Sequence, residues 1–135
     1  MRTQIITSLQ AISKATLKDF KVTDNLPWED NGAPLYFHNK KHIYVDMPQT
    51  RQEPVLNDFA MKGTVNETNT VRVYFVTDAK QLPSNYYDLV TAVQAIRTTY
   101  AVTGVIDRTC QVSTSFQADA LITEFEFSNR KTITN

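Results

Sequence analysis

Residues 71–97 read VRVYFVTDAKQLPSNYYDLVTAVQAIR, and a change of period inside this stretch decides the fold class. From Thr70 to Thr77 the side chains alternate, with Val71, Val73 and Phe75 on one face and Arg72 and Tyr74 on the other. That is the two-residue period of a half-buried strand. Leu82 and Pro83 end it, because proline has no N–H to give to a ladder. Ser84 suits an N-cap, and Asp88 falls in the first turn, where a carboxylate meets the positive end of a helix. Tyr86, Leu89 or Val90, Val93, Ile96 and Tyr100 then recur three or four apart, which predicts an amphipathic helix over 84–100, ended before Gly104. A strand with one apolar face, followed by a helix with one apolar stripe, asks for a helix packed on a sheet.

Towards the N-terminus, Ile5, Leu9, Ile12, Leu17 and Phe20 keep a helical spacing, so a first helix is expected over 3–20. Residues 24–34, with Pro27, Gly32 and Pro34, read as a loop anchored to the core by Trp28. Leu35–His38 and Ile43–Asp46 are short β-prone runs around Asn39, Lys40 and Lys41, which predicts a hairpin. Pro48 and Pro54 bracket the polar run Gln49–Glu53, expected to be an exposed connection. Val55–Val65 is ambiguous, with a bend at Gly63. Asn66–Asn69 then reads as the turn of a second hairpin leading into the 70–77 strand.

Towards the C-terminus, Arg108, Cys110, Val112, Thr114 and Phe116 alternate with polar neighbours. After a turn at Gln117–Asp119, Leu121, Thr123, Phe125 and Phe127 alternate with Ile122, Glu124 and Glu126. A third hairpin follows, and the polar tail Ser128–Asn135 is expected to fray. The order helix, hairpin, hairpin, helix, hairpin favours the α+β class: a single domain over 1–135 with a mostly antiparallel sheet built from hairpins and two helices packed on one face. The other face carries Arg72, Tyr74, Glu124 and Glu126 and is mixed in chemistry, as surfaces that meet another subunit are.

Composition narrows the function classes. The chain has 135 residues, with 14 Lys plus Arg balanced by 14 Asp plus Glu. Zero formal charge gives no global drive towards nucleic acid or an anionic membrane. The single cysteine has no intramolecular partner, which fits synthesis in a cytosol. No apolar run approaches the roughly 18 residues that span a bilayer, and no signal peptide is expected at the N-terminus. The three glycines Gly32, Gly63 and Gly104 are isolated, so no phosphate-cradling glycine loop is present.

The chemistry-bearing side chains read blandly. His38, His42 and Asp46 are two imidazoles and a carboxylate, a set that holds metals, but Lys40 and Lys41 place a positive field there that opposes a cation. Cys110 sits mid-strand with no histidine nearby in sequence and reads as a core residue. Glu124 and Glu126 share one strand face. Such a pair holds Mg2+ or does acid and base work in some proteins, but more often it answers a Lys or Arg on an adjacent strand or subunit. Neither a catalytic residue nor a cofactor or metal site is expected. Lys40 and Lys41, with Arg51 and Lys62, are solubilising side chains that at most touch a polyanion.

In layout the sequence is similar to the tail terminator proteins of long-tailed bacteriophages, the family of the phage lambda tail terminator and related minor tail proteins. The resemblance is carried by the N-terminal helix ending near Phe20, the unit Val71–Arg97 quoted above, and the closing strand ADALITEFEFSN, Ala118–Asn129. It implies a non-enzymatic structural virion protein, located in the tail or neck and synthesised in the host cytoplasm. Such a subunit forms a homo-oligomeric ring, a hexamer in that family, that caps the tail tube, ends its polymerisation and offers a docking surface to the head. Its implied partners are therefore copies of itself, the tail tube protein and a head-completion or neck protein. It implies no membrane and no specific nucleic-acid binding, although DNA passes through the lumen of such a ring. The surfaces expected to make the subunit or tube contacts are Lys40 and Lys41, the face bearing Arg72, Tyr74, Glu124 and Glu126, and Arg130 in the tail. A head-completion or neck connector protein is the alternative within this class, and a small α+β enzyme or ligand-binding domain the alternative outside it.

Overall fold

A computed structural model describes residues 1–15, 20–23, 41–54, 64–80, 86–107, 110–117 and 119–133. The chain is α+β. Its elements are α1 (Arg2–Ala15), β1 (Lys21–Thr23), β2 (His42–Val45), β3 (Gln49–Pro54), β4 (Val65–Asp78), α2 (Tyr86–Ala101), β5 (Cys110–Gln117) and β6 (Ala120–Ile133). They form one six-stranded sheet in the order β1-β2-β4-β6-β5, with β3 also paired to β4. Every pairing is antiparallel except that of β1 with β2.

β4 and β6, 14 residues each, pair along their whole length from Val65↔Ile133 to Asp78↔Ala120. The other edge of β4 is shared. β2 takes its inner half (Val45↔Val73) and β3 its outer half (Gln49↔Thr70). Three residues separate Val45 from Gln49, but only two separate Val73 from Thr70, so β2 and β3 are one strand interrupted by a one-residue bulge. The Asp46 N–H still bonds the Arg72 carbonyl at 2.9 Å, so the extra residue falls at Met47–Pro48, where proline has no N–H to lose from the ladder.

Alternation along the strands sends Ile43, Val45, Val71, Val73, Phe75, Phe125 and Phe127 to one face, where they pack with Ile5 and Leu9 of α1 and with Tyr86, Leu89, Val93 and Ile96 of α2. Both helices therefore lie on one side. The Ser8 and Tyr100 hydroxyls tie them together at 3.2 Å, and the Arg2 guanidinium donates to the carbonyls of Val45 and Asp46, fixing α1 beside the bulge. α2 ends at Gly104, whose φ of +75° is easiest for glycine; its N–H bonds the Ala101 carbonyl, and the Val105 N–H returns to Tyr100.

The structure corrects four expectations. Asn66–Asn69 is not a turn but the middle of β4: the segment holds no glycine or proline, and its polar side chains are satisfied across strands. Gln49–Glu53 is not a bare connection but part of β3. Ser128–Ile133 does not fray; it extends β6 against the outer half of β4. Phe20 does not end the first helix but directly precedes β1, a strand the sequence reading missed, which together with β4 takes the two edges of β2. Residues 35–38, the 24–34 loop with Trp28 and the Cys110 side chain lie outside the described residues. The predicted hairpin of β5 with β6 is present, as is the α2 helix, described from Tyr86.

Candidate functional site

Beyond Val71 and Phe127 the sheet changes character. Residues 65–70 of β4 and 128–133 of β6 contribute no buried side chain, and β3 is exposed throughout. At about 3.3 Å per residue, these six-residue segments form a three-stranded arm about 20 Å long that extends past the core. Apart from Pro54, Val65 and Ile133, aligned at its end, its side chains are polar on both faces. On the side continuous with the core, Thr50 Oγ1 donates to Asn69 Oδ1 (2.7 Å), Asn69 Nδ2 to Asn129 Oδ1 (3.1 Å), and Asn129 Nδ2 to the Val105 carbonyl (3.2 Å). Glu67 receives Gln52 Nε2 and Lys131 Nζ, both at 3.1 Å, and Asn69 Nδ2 at 3.3 Å. These donors hold its carboxyl below the ordinary carboxylate range, the Gln52 and Lys131 hydrogen bonds doing most.

The sheet face away from the helices has three zones. At the far end from the arm, Tyr44, Val76, Ala120 and Ile122 form a second, small apolar cluster with Tyr74 packed on it. In the middle, Arg72 lies between the two carboxylates, with Nε 3.2 Å from Glu124 Oε1 and 3.4 Å from Glu126 Oε2, while Nη1 donates to Gln49 Oε1 at 2.8 Å. The cross-strand pairs Arg72↔Glu126 and Tyr74↔Glu124 produce this grouping. Burial raises the Tyr74 phenol above its usual range, and the charges of Glu124 and Asp46 push it further the same way. The third zone is the arm, with Arg51, Thr68 and Arg130 in line across β3, β4 and β6.

Four of the expected contact residues, Arg72, Tyr74, Glu124 and Glu126, thus form one patch. The expectation that the glutamate pair answers a basic residue on a neighbouring strand is met by Arg72. Arg130 is on the same face, about 13 Å further along β6 from Glu126 at four residues' rise. Lys41 stands apart: it precedes β2, its carbonyl accepts the Lys21 N–H, and it lies at the opposite end of the sheet from the arm. Lys40 and His38 lie outside the described residues. Burial, then the charge of Lys21, lowers the His42 pKa, which favours a neutral imidazole stacked on Tyr44 at 5.3 Å. Among the described residues no three His, Cys, Asp or Glu side chains converge as metal ligands, and no helix is long and apolar enough to cross a membrane.

No protein-family model matches the chain, and no curated protein matches it. The functional reading therefore rests on this surface. Two shallow concavities flank Arg72. One is lined by Glu124, Glu126, Val112 and Ser113, the other by Gln49, Arg51, Thr68, Thr70 and Arg130. The first is acidic apart from Arg72 and the second is basic apart from Glu53. Sequence reasoning took Arg51 as a solubilising side chain alongside Lys40, Lys41 and Lys62, and missed its alignment with Thr68 and Arg130 and the Thr50–Asn69–Asn129 ladder. The available signal was the absence of any glycine or proline from Val65 to Asp78.

Proposed function

We propose that the chain is a structural subunit that assembles into a closed ring of identical copies, of the bacteriophage tail terminator type, capping the tail tube and presenting a surface to the head. The observation that supports this most is the polar three-stranded arm. The twelve residues in the six β4–β6 pairs beyond the core bury no side chain fully, so the arm adds little to the subunit's hydrophobic stabilisation. It does supply what head-to-tail assembly uses: an extended polar element whose six-residue strand β3 is exposed and, among the described residues, pairs along one edge only, with β4. The mixed sheet face at its root gives a neighbour both polar and aromatic contacts.

The reading is tested by the solution mass of the purified protein from light scattering, with negative-stain imaging of the same peak. Closed particles of several times the 15.4 kDa subunit mass are expected, and adding them to polymerising tail tubes should halt elongation. A subunit that stays at 15.4 kDa with and without tube overturns the proposal. Closed rings that bind heads but leave tube growth unchanged place the chain instead among the neck connectors.

A further inference from the structure

We propose that the ring contact, if the ring-forming reading on which this rests is right, is made by Arg130 on the arm of one copy reaching the Glu124–Glu126 pair on the sheet face of the next. Charge is segregated along this one face. At the base, Glu124 and Glu126 share Arg72, and the charge of Asp46 also bears on the neighbouring Tyr74, leaving carboxylate in excess. On the arm, Arg51 is already engaged by Glu53 at 2.6 Å, whereas Arg130 is exposed and has no acidic partner within the subunit among the described residues. The two zones are about 13 Å apart on the same strand, too far for Arg130 to reach Glu126 in its own chain. Charges of opposite sign on one face, unable to meet within the subunit, are complementary between subunits, and the occupant that carries both is a second copy of this chain.

Geometry adds to the charge argument. Glu124 and Glu126 line a concavity bordered by Val112 and Ser113, while Arg130 borders the other, so an incoming arm has a recess to enter. The guanidinium suits it, since its fork binds carboxylates in pairs and Arg72 has turned its Nη1 towards Gln49 instead.

Three variants of the full chain, Arg130→Glu, Glu126→Arg and the double substitution, test this by light scattering at low and high salt, with circular dichroism confirming the fold of each. Each single reversal sets like charges against each other and is expected to weaken association roughly 10- to 100-fold. The double substitution restores the opposite signs and should recover the wild-type mass, and added salt should weaken the wild-type and double-variant particles alike. Single variants that assemble like wild type overturn this contact while leaving the ring standing. A double variant that stays dissociated overturns it too. A two-copy particle that the single reversals split and the double restores upholds the contact and rejects the ring. A wild-type chain that remains a single copy with and without tail tube, even one retained on an immobilised polyanion through Arg130, overturns both.

Discussion

Tyr86 and Thr123 show how one polar pair is carried inside an apolar layer. Their hydroxyls hydrogen-bond each other where α2 meets β6, with both residues buried. Removing one partner strands the other away from water, so Tyr86→Phe should cost about 1–2 kcal/mol in urea unfolding, whereas Tyr86→Phe with Thr123→Val should recover most of that loss. A double variant less stable than the single would show that the hydroxyls are not each other's partner. Glu67 makes the corresponding case on the arm. Its folded carboxyl titrates below its unfolded value of about 4.3, so its contribution is present above that pH and is lost as pH falls through the folded value. The unfolding midpoints of wild type and Glu67→Gln should therefore differ at neutral pH and converge in acid; a gap independent of pH would contradict this. Neither pairing was legible in the sequence. Tyr86 was placed on the apolar helix face and Thr123 on the apolar strand face, but no periodicity says which two hydroxyls will coincide.

Elements with an apolar period were legible, and those without one were not. α2, the inner half of β4 and the β5–β6 hairpin each repeat hydrophobic side chains at every second or every third to fourth position, and the structure has them where the pattern put them. β3, the outer half of β4 and the end of β6 carry almost no hydrophobic residues, so side-chain pairing across strands, which involves residues up to 66 apart in sequence, decides their state. β1 was missed because a three-residue strand is too short for any period to show. The contrast also separates the two halves dynamically. Amides of Val71–Val76 lie over the shared core and should exchange with solvent only through global unfolding, whereas those of Val65–Thr70 need only local opening of the arm. Hydrogen exchange on the dissociated chain should show arm amides exchanging at least ten-fold faster, and assembly should slow them. Equal protection of both halves before assembly would mean that the arm is stabilised by something other than a neighbouring copy.

In the whole molecule, two helices and a strongly apolar sheet face account for the stabilising core, while the opposite face passes from apolar through charged to polar along its length. The sequence reading recovered the class, the side on which the helices lie and the mixed patch, because each follows from alternation alone. It did not recover the arm, which turns on the fact that β2 and β3 share one edge of β4. The bulge at Met47–Pro48 also shifts the parity of the numbering. Odd-numbered residues of β2 face the helices, whereas in β3 the even-numbered ones share their side. Losing one residue between Asp46 and Gln49 would close the bulge and leave β2 and β3 a single regular strand, with Gln49 still opposite Thr70 and Arg51 still opposite Thr68 on the same surface. The extra residue therefore does not set which way the arm's side chains face; it sets the bend and twist with which the arm leaves the core.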